Sequence, residues 1–218
     1  MNEVYLMTGS FGLDNDAWQA RFYDDELPPD WRAAYYSTLL RSVYLPRQEW
    51  RKAIENNWID EVDEEFRFVL NLQSADDISE LISQQADFTA RVAGVVLEYR
   101  DSNEERPGKN EIEALRKLFP VCLDAGPVDF SECGIDQICD SFGICSVWYP
   151  SVQTKPLPSG DFLVALISDE TLPMQREIVS EIEQWMTGQR RAGLFNTSEK
   201  NAPVNAQETR ILAELMGV

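Results

Sequence analysis

Eight short runs rich in β-branched and aromatic residues recur along the chain, and most are followed by a segment with helical periodicity. Strands that alternate with helices are typical of a parallel sheet, because each strand returns to the same edge through a crossover connection. Eight is also the number of strands that closes into a (β/α)8 barrel. The predicted strands cover residues 4–10, 42–46, 66–73, 92–100, 120–126, 145–150, 161–168 and 192–198.

The connections between these runs decide the rest of the fold. Ser74 is followed three residues later by Asp77, which predicts a capping box at the start of a helix. The last helix is predicted to begin at Asn205 and to bury a stripe that includes Ile211 and Leu215. The connection over residues 151–160 is too rich in proline and glycine for a helix.

The sequence therefore predicts a compact α/β fold, a TIM-like (β/α)8 barrel that lacks the helix between strands six and seven. It forms a single domain over residues 1–218, since no linker or change of composition divides the chain. A doubly wound open sheet is disfavoured, because no glycine-rich phosphate turn follows the first strand.

Charge narrows the choice of partners. The 38 acidic and 19 basic residues give a formal net charge of -19, which repels phosphate backbones and anionic lipids. No run approaches the roughly 18 apolar residues of a membrane helix, and the first residues lack the pattern of a secretion signal. We therefore expect a cytoplasmic protein that binds neither nucleic acid nor membranes, with a small polar ligand or a basic protein as its partner.

The chain contains no histidine, which excludes imidazole-based triads, HExxH zinc sites and histidine-ligated haem. An acid–base catalyst is then Asp, Glu, Cys, Lys or Tyr. The cysteines lack the spacing of a zinc site and are predicted to be buried thiols. No cofactor and no metal ligand is predicted. The four cysteines are Cys122, Cys133, Cys139 and Cys145.

Three stretches of the chain resemble the YecE-like family, domain of unknown function 72 (DUF72). They are TGSFGLDNDAWQARFYDDELPPDW, then YLPRQEW with EEFRFVLNLQ, and finally GLFNTSEKNAPVNAQETRILAELMG. The resemblance runs nearly end to end and implies a TIM-like barrel. It breaks at strands five and seven, where the family carries polar strand tips and this chain reads PVCLDAG and FLVALIS. Asp124 is the acid that remains at strand five.

In a (β/α)8 barrel the chemistry lies at the carboxyl ends of the strands. Asp124 is the candidate catalytic residue, because a carboxylate between Leu123 and Ala125 suits general-base or metal-ligand work. A turn-capping role for Asp124 is the alternative. Glu98 is either its partner in a carboxylate pair or a solvated loop residue. The candidate binding residues are Ser10, Trp18, Asn71, Trp148 and Asn196.

Two of these binding candidates have structural alternatives. The alternative for Asn196 is a turn-forming role, and the alternative for Trp18 is a place in the core, where aromatic residues at such spacing more often lie. The leading functional hypothesis is a non-catalytic binding or interaction protein. In this hypothesis the active-site opening at the carboxyl ends of the strands is degenerate, because it has lost the polar residues of the family. The alternative is a hydrolase or isomerase of a small polar, carbohydrate-like substrate. It would use Asp124 as base and Asn71 and Asn196 as orienting groups, with or without a divalent ion held by carboxylates.

Overall fold

The structure is a computed structural model, and it describes residues 6–84, 86–99, 108–127, 135–153 and 160–218. All eight predicted strands are present, each shorter than or similar to the predicted run. They are β1 Met7–Ser10, β2 Ser42–Leu45, β3 Arg67–Leu72, β4 Val92–Glu98, β5 Val121–Asp124, β6 Cys145–Ser146, β7 Phe162–Ile167 and β8 Arg191–Asn196.

Helices follow most of the strands in the described residues. Two single-turn 3-10 helices, Asp16–Trp18 and Pro29–Trp31, precede the first α-helix. The α-helices are α1 Arg32–Leu39, α2 Arg47–Glu55, α3 Trp58–Glu61, α4 Ala75–Ile82, α5 Ala86–Ala90, α6 Lys109–Arg116, α7 Ile135–Phe142, α8 Leu172–Trp185 and α9 Ala202–Met216. The sequence did not predict α2, α3 and α7.

Every ladder between these strands is parallel, which confirms the predicted α/β class. The ladders form two sheets, with orders β1-β8-β7 and β2-β3-β4-β5-β6, so they do not make one closed barrel. Single bridges join the sheet edges, from Phe11 to Tyr44 and from Trp148 to Ala165. β6 is only two residues long, which leaves little strand for a ladder at that seam. Between β6 and β7 the described residues contain no helix, and residues 154–159 lie outside them.

The two sheets pack face to face. Side chains alternate along each strand, so Phe68 and Leu70 of β3 join the helix-facing core while Val69 lies on the opposite face. A Cβ atom on Gly94 of β4 would lie 2.4 Å from the ring of Phe162 on β7, across the interior. We call the face that carries Val69 and Gly94 the inner face, and the face toward the helices the outer face.

A buried carboxylate joins α2 to α4. The predicted capping box is present, since Asp77 and Ser74 exchange side-chain and backbone hydrogen bonds at the start of α4. The Asp77 side chain is fully buried and also accepts from Arg47 and Arg51 of α2, each at 2.8 Å. The positive charges of both arginines are therefore paired within the protein, and Arg51 also contacts Glu80.

The last helix departs from its prediction. It begins at Ala202 with Asn201 at the cap position, one turn before Asn205. The predicted apolar stripe is wrong in part, because Ile211 is 46% and Leu215 is 81% exposed. Small side chains face the sheet instead, among them Ala206, Thr209 and Ala213. They let the α9 backbone approach β1 and β8 closely. No helix among the described residues is long and apolar enough to cross a membrane.

Candidate functional site

The carboxyl ends of the parallel strands lie at one edge of the fold, where six inner-face residues come together. Phe11 follows β1 and bridges to Tyr44 of β2, which places both side chains on the same face. Glu98 and Asp124 are direct partners in the β4–β5 ladder. The phenol of Tyr149, after β6, donates to Asp124. We call this set the mouth cluster: Phe11, Tyr44, Asn71, Glu98, Asp124 and Tyr149.

Asp124 is the fixed member of a carboxylate pair. Its Oδ1 accepts from the backbone N–H of Gly126 and from the hydroxyl of Tyr149, each at 2.7 Å. The first of these contacts is the turn-capping role that the sequence left open. Two donors on one oxygen hold the carboxylate in a single orientation, so Asp124 is anchored rather than mobile.

Glu98 is the freer carboxylate of the pair. It is half-buried on β4, and its register with Asp124 brings the two side chains onto adjacent strands about 4.8 Å apart. Its Oε1 accepts from the Nε2 of Gln73 at 3.2 Å. Within the described part of the chain its Oε2 has no hydrogen-bond partner. Glu98 therefore offers a negatively charged acceptor to a ligand.

Tyr44 and Asn71 form the buried base of the mouth cluster. The Nδ2 of Asn71 donates to the Tyr44 hydroxyl at 2.9 Å, so that hydroxyl directs its own proton elsewhere. Burial, reinforced by the negative charge of Asp124, raises the pKa of Tyr44 well above its usual range. The hydroxyl stays protonated as a donor. The Oδ1 of Asn71, whose residue is 2% exposed, accepts no hydrogen bond from the described residues.

Helix α2 holds Asn71 in place. The indole N–H of Trp50 donates to the backbone carbonyl of Asn71 at 3.0 Å, and the Trp50 side chain is fully buried. The end of β3 is thereby tied to the helical layer. This contact leaves the Asn71 side chain free to face the mouth.

Three predicted binding residues lie elsewhere. Ser10 and Asn196 are partners in the β1–β8 ladder on the outer face. The hydroxyl of Ser10 contacts the Tyr36 hydroxyl at 2.9 Å. The Oδ1 of Asn196 accepts from the N–H of Ser198 at 2.9 Å, which is the turn-forming alternative. The Trp18 indole donates to the carbonyl of Glu199 at 2.9 Å, and this residue is 2% exposed.

Trp148 is a predicted binding residue, but it lies outside the mouth cluster. Its neighbour Tyr149 belongs to the cluster instead. Trp148 pairs with Ala165 of β7, which lies three residues after the inner-face Phe162 and so on the opposite face. The Trp148 side chain therefore lies on the outer face. Its buried indole N–H finds no acceptor in the described residues. Tyr149, which sequence reasoning does not select, reaches Asp124 instead. Successive residues of an extended segment point to opposite faces, and this alternation, continued beyond β6, is the signal that distinguishes the two.

The thiols do not form a site with the carboxylates. Cys122 and Cys145 are partners in the β5–β6 ladder, and burial raises the pKa of both thiols. Cys139 is also buried, and Cys133 lies outside the described residues. In the part of the chain that the structure describes, no group of three or more Asp, Glu or Cys side chains is placed to hold a metal ion.

A clamp on the loop after β1 positions Phe11. Glu49 of α2 accepts from the backbone N–H groups of Leu13 and Asp14, at 2.8 and 3.3 Å. Gly12 has a φ of +83°, and a Cβ there would lie 2.6 Å from Glu49, so both backbone and space require glycine. The loop leaves β1 in one direction, and Phe11 is directed over Tyr44.

The clamp predicts a pH dependence. Burial raises the pKa of Glu49 above its ordinary value of 4.5. A carboxyl whose pKa is higher in the folded state than in the unfolded state stabilises the fold at pH values below its unfolded-state pKa. That contribution is lost as the pH rises through its folded-state pKa. The free energy of unfolding of the wild type minus that of Glu49→Gln should therefore fall as pH rises above about 4.5. Urea unfolding over a series that extends from strongly acidic to neutral pH measures it.

Asp14 supplies the control for this measurement. Burial opposes its ionisation, but hydrogen bonds and charge from Lys52 and Arg32 outweigh that effect and lower its pKa below 3.8. The same difference for Asp14→Asn should rise with pH, and should do so only in the most acidic part of the range. A difference for Glu49→Gln that stays constant or rises would contradict the assigned environment.

The fold and the mouth cluster define a parallel α/β protein whose polar groups gather at the carboxyl ends of its strands. The crystal structure of a DUF72 family protein from Thermotoga maritima has this fold. It matches 96% of this chain and 99% of its own, with a TM-score of 0.74 and 14% sequence identity. This neighbour confirms, at the level of the fold, the resemblance to DUF72 seen in the sequence. No protein-family model and no curated protein sequence matches the chain.

Proposed function

We propose that this chain is a DUF72-type barrel protein that binds a small polar ligand, neutral or cationic, at the mouth cluster. The observation that carries the proposal is the register pairing of Glu98 with Asp124 on the inner face. Asp124 is buried and already accepts two hydrogen bonds, whereas the half-buried Glu98 beside it keeps a carboxylate oxygen for a ligand that donates hydrogen bonds. The mouth is therefore a functional surface.

We also propose that the eight strands form a barrel, which is a more specific statement than the parallel α/β class. The bridge from Phe11 to Tyr44 connects β1 to β2, and the bridge from Trp148 to Ala165 connects β6 to β7. Together with the ladders of the two sheets, these bridges give each strand two neighbours in cyclic order. A (β/α)8 barrel has this strand order, with its functional residues at the carboxyl edge.

The charge of the mouth cluster selects the class of ligand. It contains two carboxylates and no basic side chain, so phosphates and carboxylates are repelled. Tyr44 offers a donor, while Asn71 Oδ1 and Glu98 Oε2 offer acceptors. Hydroxyl and ammonium groups match this arrangement, because both donate to carboxylates. Sugars, polyols and small amines are the ligands that we propose.

Carboxylate catalysis is the second candidate, and the same pair of acids favours it. Hydrolases of glycosidic bonds use two carboxylates that flank the reacting bond. Asp124 is anchored by two donors, so Glu98 is the better candidate for moving a proton. Asn71 would orient a hydroxyl group, as the sequence suggested, whereas Asn196 lies on the outer face. Turnover of a ligand that the mouth binds would distinguish catalysis from binding alone.

Replacing Glu98 by glutamine should weaken binding of such a ligand at least tenfold, because a hydrogen bond to a charged acceptor contributes about 1.5–3 kcal/mol. Thermal denaturation against a panel of sugars, polyols and amines identifies a binder through its rise in midpoint. Titration of that binder then compares the wild type with Glu98→Gln.

Glu65→Gln is the matched control. Its side chain is 73% exposed at the opposite edge of β3, where it pairs with Arg41. It removes the same charge without touching the mouth cluster, so its affinity should equal that of the wild type. Equal affinity in Glu98→Gln, or a panel with no binder, would refute the proposal.

A further inference from the structure

The mouth cluster is chemically divided. Strands β2 to β5 and the residue after β6 supply its polar groups, whereas the inner face of β7, β8 and the end of β1 is apolar. Leu166 of β7 and Phe195 of β8 are partners in their ladder, and Phe11 follows β1, the other neighbour of β8. The opening therefore has one wall of hydrogen-bonding groups and one wall of hydrocarbon. The apolar wall consists of Phe11, Leu166 and Phe195.

The apolar wall is accessible at its upper edge. Phe11 is 37% exposed and meets the ring of Tyr44 edge-on, with centroids 4.9 Å apart. Phe195 is fully buried and lies 5.7 Å from the same Tyr44 ring, so it forms the floor beneath. Leu166 is 8% exposed and lies on β7, beyond Phe195 in the strand order β1-β8-β7. An aromatic ring held in this position by a fixed loop presents a preformed surface to a ligand.

We propose that the ligand is a hydroxyl-bearing ring that carries an apolar substituent, such as an aryl glycoside. The inference rests on the proposed function, since the ring hydroxyls occupy the polar wall of the same site. The substituent packs on Phe11 and Leu166, where aromatic contacts and lost water favour it. A free polyol leaves this wall in water, and an aryl amine leaves the several acceptors of the polar wall unpaired.

The test compares matched pairs of phenyl and methyl glycosides of the same sugar, drawn from gluco, galacto, manno and xylo series in both anomers. Titration followed by tryptophan fluorescence gives the dissociation constant of each. The phenyl member should bind about tenfold more tightly than its methyl partner, because the phenyl group adds buried apolar area. Phe11→Ala should reduce that ratio to about twofold, because it weakens binding of the phenyl member more than binding of the methyl member.

Leu118→Ala is the control, since Leu118 is 57% exposed in the connection that enters β5 from the opposite edge. It should leave the ratio unchanged. Equal binding of phenyl and methyl members overturns this inference but keeps the proposed function. Binding of a phenethylamine or a polyol, with no binding of any glycoside, would likewise overturn this inference and keep the proposed function. If neither these glycosides nor the wider panel bind, both proposals fail.

Discussion

Replacing Gly9 by alanine should lower the free energy of unfolding by about 3 kcal/mol, since inserted atoms that cannot be accommodated force the backbone apart. A Cβ at this position would lie 2.1 Å from the carbonyl oxygen of Ser42 and 3.2 Å from the Tyr36 hydroxyl. The nearest obstacle is backbone, so no change of side-chain conformation relieves it. The seam between β1 and β2 must open, and urea unfolding should show the loss.

Gly108→Ala is the matched control for the seam. There the added Cβ would lie 2.8 Å from the carboxylate of Glu111, which is the end of a flexible side chain. Its stability should fall by no more than about 1 kcal/mol, the cost of alanine at the N-cap position that Gly108 occupies before α6. If Gly9→Ala is as stable as Gly108→Ala, the close approach of β1 to β2 is refuted.

Replacing Asp77 by alanine should also cost about 3 kcal/mol, because it removes one partner from a buried ion pair and a helix cap together. The Asp77 carboxylate accepts from Arg47 and Arg51, and from the backbone N–H groups of Gln73 and Ser74 at 2.8 and 3.2 Å. Its loss leaves two arginines on α2 without their shared acceptor. Urea unfolding measures the difference.

Asp76→Ala provides the comparison, since Asp76 precedes Asp77 in the same helical turn and is exposed. It removes the same charge from the same helix start, where a single exposed acid contributes about 0.3–1 kcal/mol. Equal losses in the two variants would mean that the buried contacts of Asp77 add nothing beyond this interaction with the helix dipole. Such a result would contradict the network between α2 and α4.

The positions of the strands were predictable, because a run of β-branched and aromatic residues carries its own signal. The direction of each side chain was not, since it depends on register between strands that are distant in sequence. Ser10 and Asn196 end their strands as expected, yet both lie on the outer face. Their neighbours along the chain, rather than they, face the mouth.

Glu98 shows where local sequence leaves a choice open. Its surroundings, EYRDSNEER, allowed either a solvated loop residue or a carboxylate pair with Asp124, and the β4–β5 register places the two acids side by side. That register joins strands that are distant in sequence, so local sequence could not decide between the two. The last helix shows the converse effect: Ile211 and Leu215 form an apolar stripe, but close packing on the sheet selects small residues.

The pairing of β1 with β8 has a consequence for synthesis. A ribosome makes Met7–Ser10 well before their ladder partners in Arg191–Asn196, which form the last of the eight strands. At about 5–20 residues per second this interval is on the order of ten seconds. Throughout it the amino-terminal strand lacks the neighbour that completes its hydrogen bonding, a state that favours contact with chaperones. The strand that is made first is therefore among the last to be secured.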